Sequence, residues 1–151
     1  MDFSSFPSEI IQRMGEMIAS STLKLPPPVF TDMAGEYIAM DLAAKTLTVR
    51  FPVQARYQNP MGYMQGGMIA AAIDNTIGPL SFMVAAPNVT KTMEVTYLRP
   101  IPASVAEITV VAAFEAQRER ELIFVADVLR GDGTKLATAR SVNVLLKRER
   151  P

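Results

Sequence analysis

Two hydrophobic periods alternate along this chain, and the places where one gives way to the other mark out its elements. Residues 35–42 and 47–53 read as two strands, joined by a tight turn near Ala44-Lys45. Residues 56–64 are rich in Gln, Asn, Pro and Gly and predict a loop. From Gly66 or Gly67 the run MIAAAIDNTI is apolar almost all the way round and predicts a helix. That helix should bend at Gly78-Pro79, where proline removes a backbone hydrogen bond. After Pro87-Asn88 the period returns to two, and VTKTMEVTYL has the β-branched texture of a half-buried strand. Residues 105–116, 122–129 and 135–146 are three further β-rich runs, separated by a polar turn over 118–121 and by Gly131-Asp132-Gly133. The Asp-Gly pair in the latter is a hairpin signal.

At the N-terminus, Ile10, Ile11, Met14, Met17 and Ile18 follow helical spacing, with Glu9, Gln12, Arg13 and Glu16 opposite them, which predicts a packing helix. No basic segment leads into an apolar block there, so the pattern is not that of a signal peptide. Pro26-Pro27-Pro28 reads as a stiff, non-helical connector. The most apolar stretch, 61–87, is interrupted by Gln65, Asp74, Asn75 and Pro79, residues that a bilayer-spanning helix rarely carries. The expected order is helix, two strands, one long apolar helix and four strands. Neighbouring strands joined by short turns give an antiparallel sheet, which must wrap the apolar helix. The fold class is therefore α+β, one domain over 1–151, with a helix and Pro-rich connector over 1–28 and the core over 35–146.

Composition narrows the chemistry. The chain has 151 residues, long enough to bury a core without metal or disulfide support. Fifteen basic and fifteen acidic residues cancel, which gives no footprint for nucleic acid. There is no cysteine, which excludes disulfides, thiolate catalysis and cysteine-based zinc sites, and is compatible with a cytoplasmic protein. There is also no histidine, so Ser-His-Asp and Cys-His mechanisms are absent and the commonest metal ligand is missing. Acid–base work near neutral pH falls to carboxylates, lysine, tyrosine or water. No metal or cofactor is expected.

One carboxylate then stands out. Asp74 lies inside the apolar helix, where an unpaired charge costs several kcal/mol or changes its pKa. Either it is a helix-interior aspartate paired to backbone or to a neighbouring strand, or its perturbed setting makes it a general base or nucleophile. Gly66 and Gly67, at the start of that helix, also admit two readings. They serve a tight loop-to-helix turn, or they let a carbonyl oxygen approach the unpaired N–H groups of the helix start.

The spacing Asn59-x-x-Gly62-x-x-Gln65-Gly66-Gly67, with Asp74 seven residues later, resembles that of hotdog-fold thioesterases, in particular the phenylacetic-acid-type acyl-CoA thioesterase subfamily. The strand ending Thr96-Tyr97-Leu98-Arg99-Pro100 and the late Asp132-Gly133 turn belong to the same pattern. The resemblance covers about residues 35–146 and implies a curved antiparallel sheet around one central helix. It implies hydrolysis of a fatty or aromatic acyl-CoA, with Asp74 as base or nucleophile and the Gly66 N–H as oxyanion donor. It further implies that Asn59 holds the loop or the water and that Thr90 places a hydroxyl near the nucleophilic water, although a β-branched residue also suits a strand there. Gln65 stands where the family usually has histidine, and with Gly67 it belongs to the substrate-binding loop. Met64 and Met68 either line an adaptable acyl channel or fill the core.

Seven residues of helix separate Gly67 from Asp74, roughly 10 Å of rise, whereas one reacting carbonyl must lie about 3 Å from both donor and attacking group. Pairing Gly66 of one subunit with Asp74 of another resolves this, as in the family, whose sites lie between protomers. A homodimer is expected, with a dimer of dimers beyond it. Lys91, Arg99, Arg118, Arg120 and Arg140 are available for CoA phosphates, and no phosphate-loop motif is present. The alternatives are a non-catalytic acyl-binding protein, in which Gln65 marks a lost activity, and a hotdog hydratase or dehydratase, which the lack of histidine disfavours.

Overall fold

A computed structural model describes Gln12, Gly15 and residues 26–146. Apart from Gln12 and Gly15, both helical, the expected N-terminal helix lies outside the described residues, as does the basic tail. The elements are α1 (Pro28–Asp32), β1 (Glu36–Asp41), β2 (Thr46–Pro52), a 3-10 turn (Ala55–Tyr57), α2 (Gly66–Val84), β3 (Asn88–Tyr97), β4 (Glu107–Arg118), β5 (Glu121–Leu129) and β6 (Lys135–Leu145). All six expected strands and the central helix are present. The helix α1 corrects the sequence reading, because Pro28 is helical and opens it. Proline is tolerated at a first helical position, where its missing N–H has no intrahelical acceptor to lose.

The strands form one antiparallel sheet in the order β1-β2-β4-β5-β6-β3. The turns follow local chemistry. Asp41 Oδ1 accepts the Ala44 N–H at 2.8 Å in the first hairpin, and Lys45 there takes a positive φ of 53°. In the last hairpin Gly133 adopts φ 84°, which glycine enters without steric penalty. Asp132 accepts the Thr134 N–H and pairs with Arg130 at 2.6 Å. Arg130 and these hydrogen bonds hold the Asp132 carboxyl well below the usual carboxylate range.

The sheet covers one face of α2. Ile69, Ala72, Ile73, Ile77 and Leu80 are buried against Leu47, Val49 and Phe51 of β2, Ile108 and Val110 of β4, and Leu122 and Phe124 of β5. Each fully buried side chain of this size contributes about 1.5–3 kcal/mol. By length and composition α2 could cross a membrane, yet this face is that of a core helix. It runs through Pro79 to Val84 without a break. The opposite face, which includes Ala71, Asp74 and Gly78, is exposed or half-buried. The expectation that the sheet would enclose a uniformly apolar helix therefore holds for one side only.

The Phe30 ring of α1 stacks on Tyr37 at 4.5 Å and meets Phe51 edge-on at 5.8 Å. Gly35 lies under these rings, and a Cβ there would stand 2.7 Å from Phe30 and 2.8 Å from Phe51. Gly35→Ala should destabilise the fold by about 1–3 kcal/mol in urea unfolding, the usual effect of overpacking. Gly131→Ala, where nothing among the described residues lies within 4 Å of the new methyl, should change stability far less.

Candidate active site

The start of α2 is set by a loop that orders itself. The Asn59 side-chain oxygen accepts the N–H groups of Met61 (2.9 Å) and Tyr63 (3.1 Å). Gly62, at φ 78°, makes the turn between them. The loop then bonds outward, with Met64 N–H to Ile101 O at 2.8 Å and Gln65 N–H to Tyr57 O at 2.7 Å. Asn59 thus spends its carbonyl on the loop, and its amide NH2 remains as a donor beside the helix start.

Within α2 the first bonds run from Met68 and Ile69 N–H to Gln65 O, at 2.9 and 3.2 Å. Among the described residues no side chain caps this end. The Gly66 and Gly67 N–H groups therefore have no carbonyl partner among the described residues, and they point out of the helix end. The two glycines differ. A Cβ on Gly66 would crowd the Tyr97 ring at 3.2 Å, while nothing among the described residues lies within 4 Å of a Cβ on Gly67. Neither has a positive φ, so a tight turn is not what demands them. A cleft of about 250 Å³ opens here, lined by Asn59, Met64, Gly66, Ile69, Tyr97 and Arg99 among others. Met64 is buried and Met68 half-buried against the core. The Gln65 and Gly67 positions are exposed.

Asp74 lies elsewhere, two turns further along α2. The apolar setting expected for it is not found among the described residues, because Asp74 lies at the exposed margin of α2 beside the edge strand β3. The Thr90 hydroxyl donates to its Oδ1 at 2.9 Å. From Gly66 to Asp74 the helix rises roughly 12 Å, so the single chain holds the carboxylate and the amides as two separate halves. Asn75, the next residue, bonds its own helix at Ala71 O (2.8 Å) and touches Met33. Of the cations named for a CoA phosphate, Lys91 is paired with Glu121 and Arg140 with Glu115, both at 2.6 Å. Arg120 donates to Leu145 O. Arg99 lines the cleft and donates to Lys135 O at 2.9 Å.

Strand β3 touches both halves. At one end Thr90 holds Asp74, and at the other the Tyr97 hydroxyl donates to Gly66 O at 2.8 Å. Residues 90 and 97 are an odd number apart, so in a regular strand they would face opposite sides. A bulge resolves this: Thr90 pairs with Asn143 and Thr92 with its neighbour Val142, leaving Lys91 as the extra residue. Such bulges re-aim side chains, and this one turns Asn88, Thr90, Met93, Val95 and Tyr97 to the helix side. Tyr97 and the bulge had no assigned role in the sequence reading. The signal was present only as the odd spacing between two residues of one strand.

The same bulge protects a buried polar chain. Asn88, Asn143 and Ser141 are almost fully buried. Ser141 donates to Asn143 at 2.8 Å, Asn143 to Asn88 at 2.9 Å and Asn88 to Ala86 O at 3.0 Å. Deleting Lys91 should rotate one end of β3 outward and break this chain or the Tyr97 contact. Thermal or urea unfolding should show a loss of about 2–4 kcal/mol, as for orphaned buried polar groups. Lys91→Ala, which removes only an exposed ion pair, should cost under about 1 kcal/mol.

No protein-family model and no curated protein sequence matches the chain significantly. Solved structures do. A phenylacetic acid degradation-related protein from Ralstonia eutropha superposes with a TM-score of 0.74 at 24% identity, over 86% of this chain and 98% of that one. The Escherichia coli PaaI protein from the phenylacetic acid degradation operon gives 0.76 at 16% identity, over 92% and 94%. A variant of a Staphylococcus aureus thioesterase enzyme gives 0.71 at 11% identity, over 78% and 98%. One long helix on a six-stranded antiparallel sheet, matched over most of each chain, establishes the architecture: this protein has the hotdog fold.

Proposed function

We propose that the protein hydrolyses a fatty or aromatic acyl-CoA thioester to the free acid and CoA, at sites shared between two copies of the chain. The observation that carries this reading is the exposed Asp74–Thr90 pair. An exposed carboxylate on a core helix has one oxygen held by a hydroxyl, and its second oxygen has no partner among the described residues. In hydrolysis that second oxygen would take a proton from water, or attack the carbonyl carbon itself. The charge that develops on the carbonyl oxygen would meet the Gly66 N–H of the other copy, with Asn59 nearby to hold the water or the loop. The leaving thiolate, from a thiol with a pKa of about 8.5 for a cysteine-type group, departs far more readily than an alkoxide. A chain without histidine can therefore run this reaction.

Pairing of two copies is supported by the edge of the sheet. β3 is an edge strand of ten residues with no proline, and Val89, Tyr97 and Leu98 are exposed along it. The unpaired N–H and C=O groups of an edge strand are a ready template for pairing with another chain. Ala71 and Gly78 flank Asp74 on the outward face of α2 and let another backbone come close. Further pairing into a dimer of dimers follows the same reading, as does CoA phosphate binding at Arg99 beside the cleft. The S. aureus neighbour, a thioesterase, lends the activity by likeness of fold.

Thiol release from a panel of acyl-CoAs tests the proposal. Wild type should release thiol well above background on at least one member. Asp74→Asn should lower kcat roughly a hundredfold or more, with a smaller change in KM. Equal rates for the two proteins would end the assignment of Asp74. No release from any member would leave the other reading, an acyl-binding protein in which Gln65 replaces a catalytic histidine.

A further inference from the structure

The Tyr97 hydroxyl does not bond an amide of the helix start; it bonds the Gly66 carbonyl at 2.8 Å. That carbonyl and the Gly67 N–H belong to one planar peptide unit, in which they point in opposite directions. A donor on the carbonyl oxygen draws electron density toward it and makes the N–H on the far side of the same unit a stronger donor. It also fixes the plane of the unit, and hence the aim of the N–H, at a helix end that no side chain caps.

We infer that Tyr97 is a positioning residue for the proposed hydrolysis, acting through the Gly66–Gly67 peptide, and that the Gly67 N–H joins the Gly66 N–H in stabilising the oxyanion. This extends the function proposed above and rests on it. A second observation bears on Gly67 independently. Glycine in the first turn of a helix is less favourable than alanine. Yet nothing among the described residues asks for it at 67: its φ is not positive, and nothing described lies within 4 Å of a Cβ placed there. A carbonyl oxygen drawn up to the Gly67 N–H supplies a reason for glycine that the described residues do not. Gly66, by contrast, lies under the Tyr97 ring, 3.2 Å from where a Cβ would stand. Tyr97 thus does two things at this corner: its ring packs closely over Gly66, and its hydroxyl sets the peptide that follows.

Two variants test this. Tyr97→Phe keeps the ring and removes the hydroxyl. The amide nitrogen resonance of Gly67, recorded on the ligand-free protein, should move upfield, while that of Gly133, remote from Tyr97, should stay in place. In the thiol-release assay kcat should fall roughly threefold to tenfold with KM within about twofold. Gly67→Ala should hold or raise the melting temperature, because alanine favours the helix, and should lower kcat/KM about tenfold or more by crowding the oxyanion. An unmoved Gly67 resonance in Tyr97→Phe, or wild-type kinetics in both variants, would overturn the inference. If wild type itself releases no thiol while the Gly67 resonance still moves, the peptide contact stands. The catalytic role then falls together with the proposed hydrolase.

Discussion

An α-helix advances about 1.5 Å per residue, and that rise governs how this protein can use α2. The helix carries two chemical assets: unpaired amides at its start, at Gly66 and Gly67, and a carboxylate eight residues beyond Gly66, at Asp74. Roughly 12 Å of helix lies between them. No side chain of aspartate length spans that gap to one reacting carbonyl. The geometry of a single chain therefore separates what the proposed chemistry needs together, and the open edge of β3 beside the exposed face of α2 is where a second chain would bring the halves into register.

The connection between the halves within one chain is β3. It runs antiparallel to α2, holding Asp74 through Thr90 and the helix start through Tyr97. The extra residue Lys91 makes both contacts possible. The inner side of the same strand continues into the buried Asn88–Asn143–Ser141 chain, in which every polar atom finds a partner. A register slip would orphan those groups and turn one of the site contacts outward, so the packing of the core and the aim of the site are specified by a single irregularity.

Much of this was legible beforehand, for physical reasons. The six strands announce themselves through β-branched runs ended by Pro, Gly and Asp-Gly, and α2 through its glycine-opened apolar run. The elements misread are those where a local rule has an exception or a neighbour decides. Three consecutive prolines argue against helix, but Pro28 sits at the one position where proline suits it. Apolar neighbours suggested that Asp74 is enclosed, whereas burial depends on which face of the helix the sheet takes, and a helix apolar nearly all round does not announce that face. The bulge at Lys91 carries no glycine or proline, and VTKTMEVTYL reads as plain alternation. Of the candidate site, Asn59, Gly66 and Asp74 stand out as a spaced pattern, and Thr90 only through the resemblance. Tyr97 was visible only as part of a motif, because its role depends on a hydrogen bond to a carbonyl across the fold.

A mixing experiment bears most directly on the claim that two chains complete each site. Asp74→Asn removes the carboxylate, and Gly66→Val sets a branched side chain at the helix start beside the amides and against the Tyr97 ring. Each variant alone should be nearly inactive. Unfolded together in equal amounts and refolded, they should form mixed dimers in which one of the two sites carries neither lesion, restoring about a quarter of wild-type activity. A mixture no more active than its parents, with mixed dimers present, would contradict the shared site.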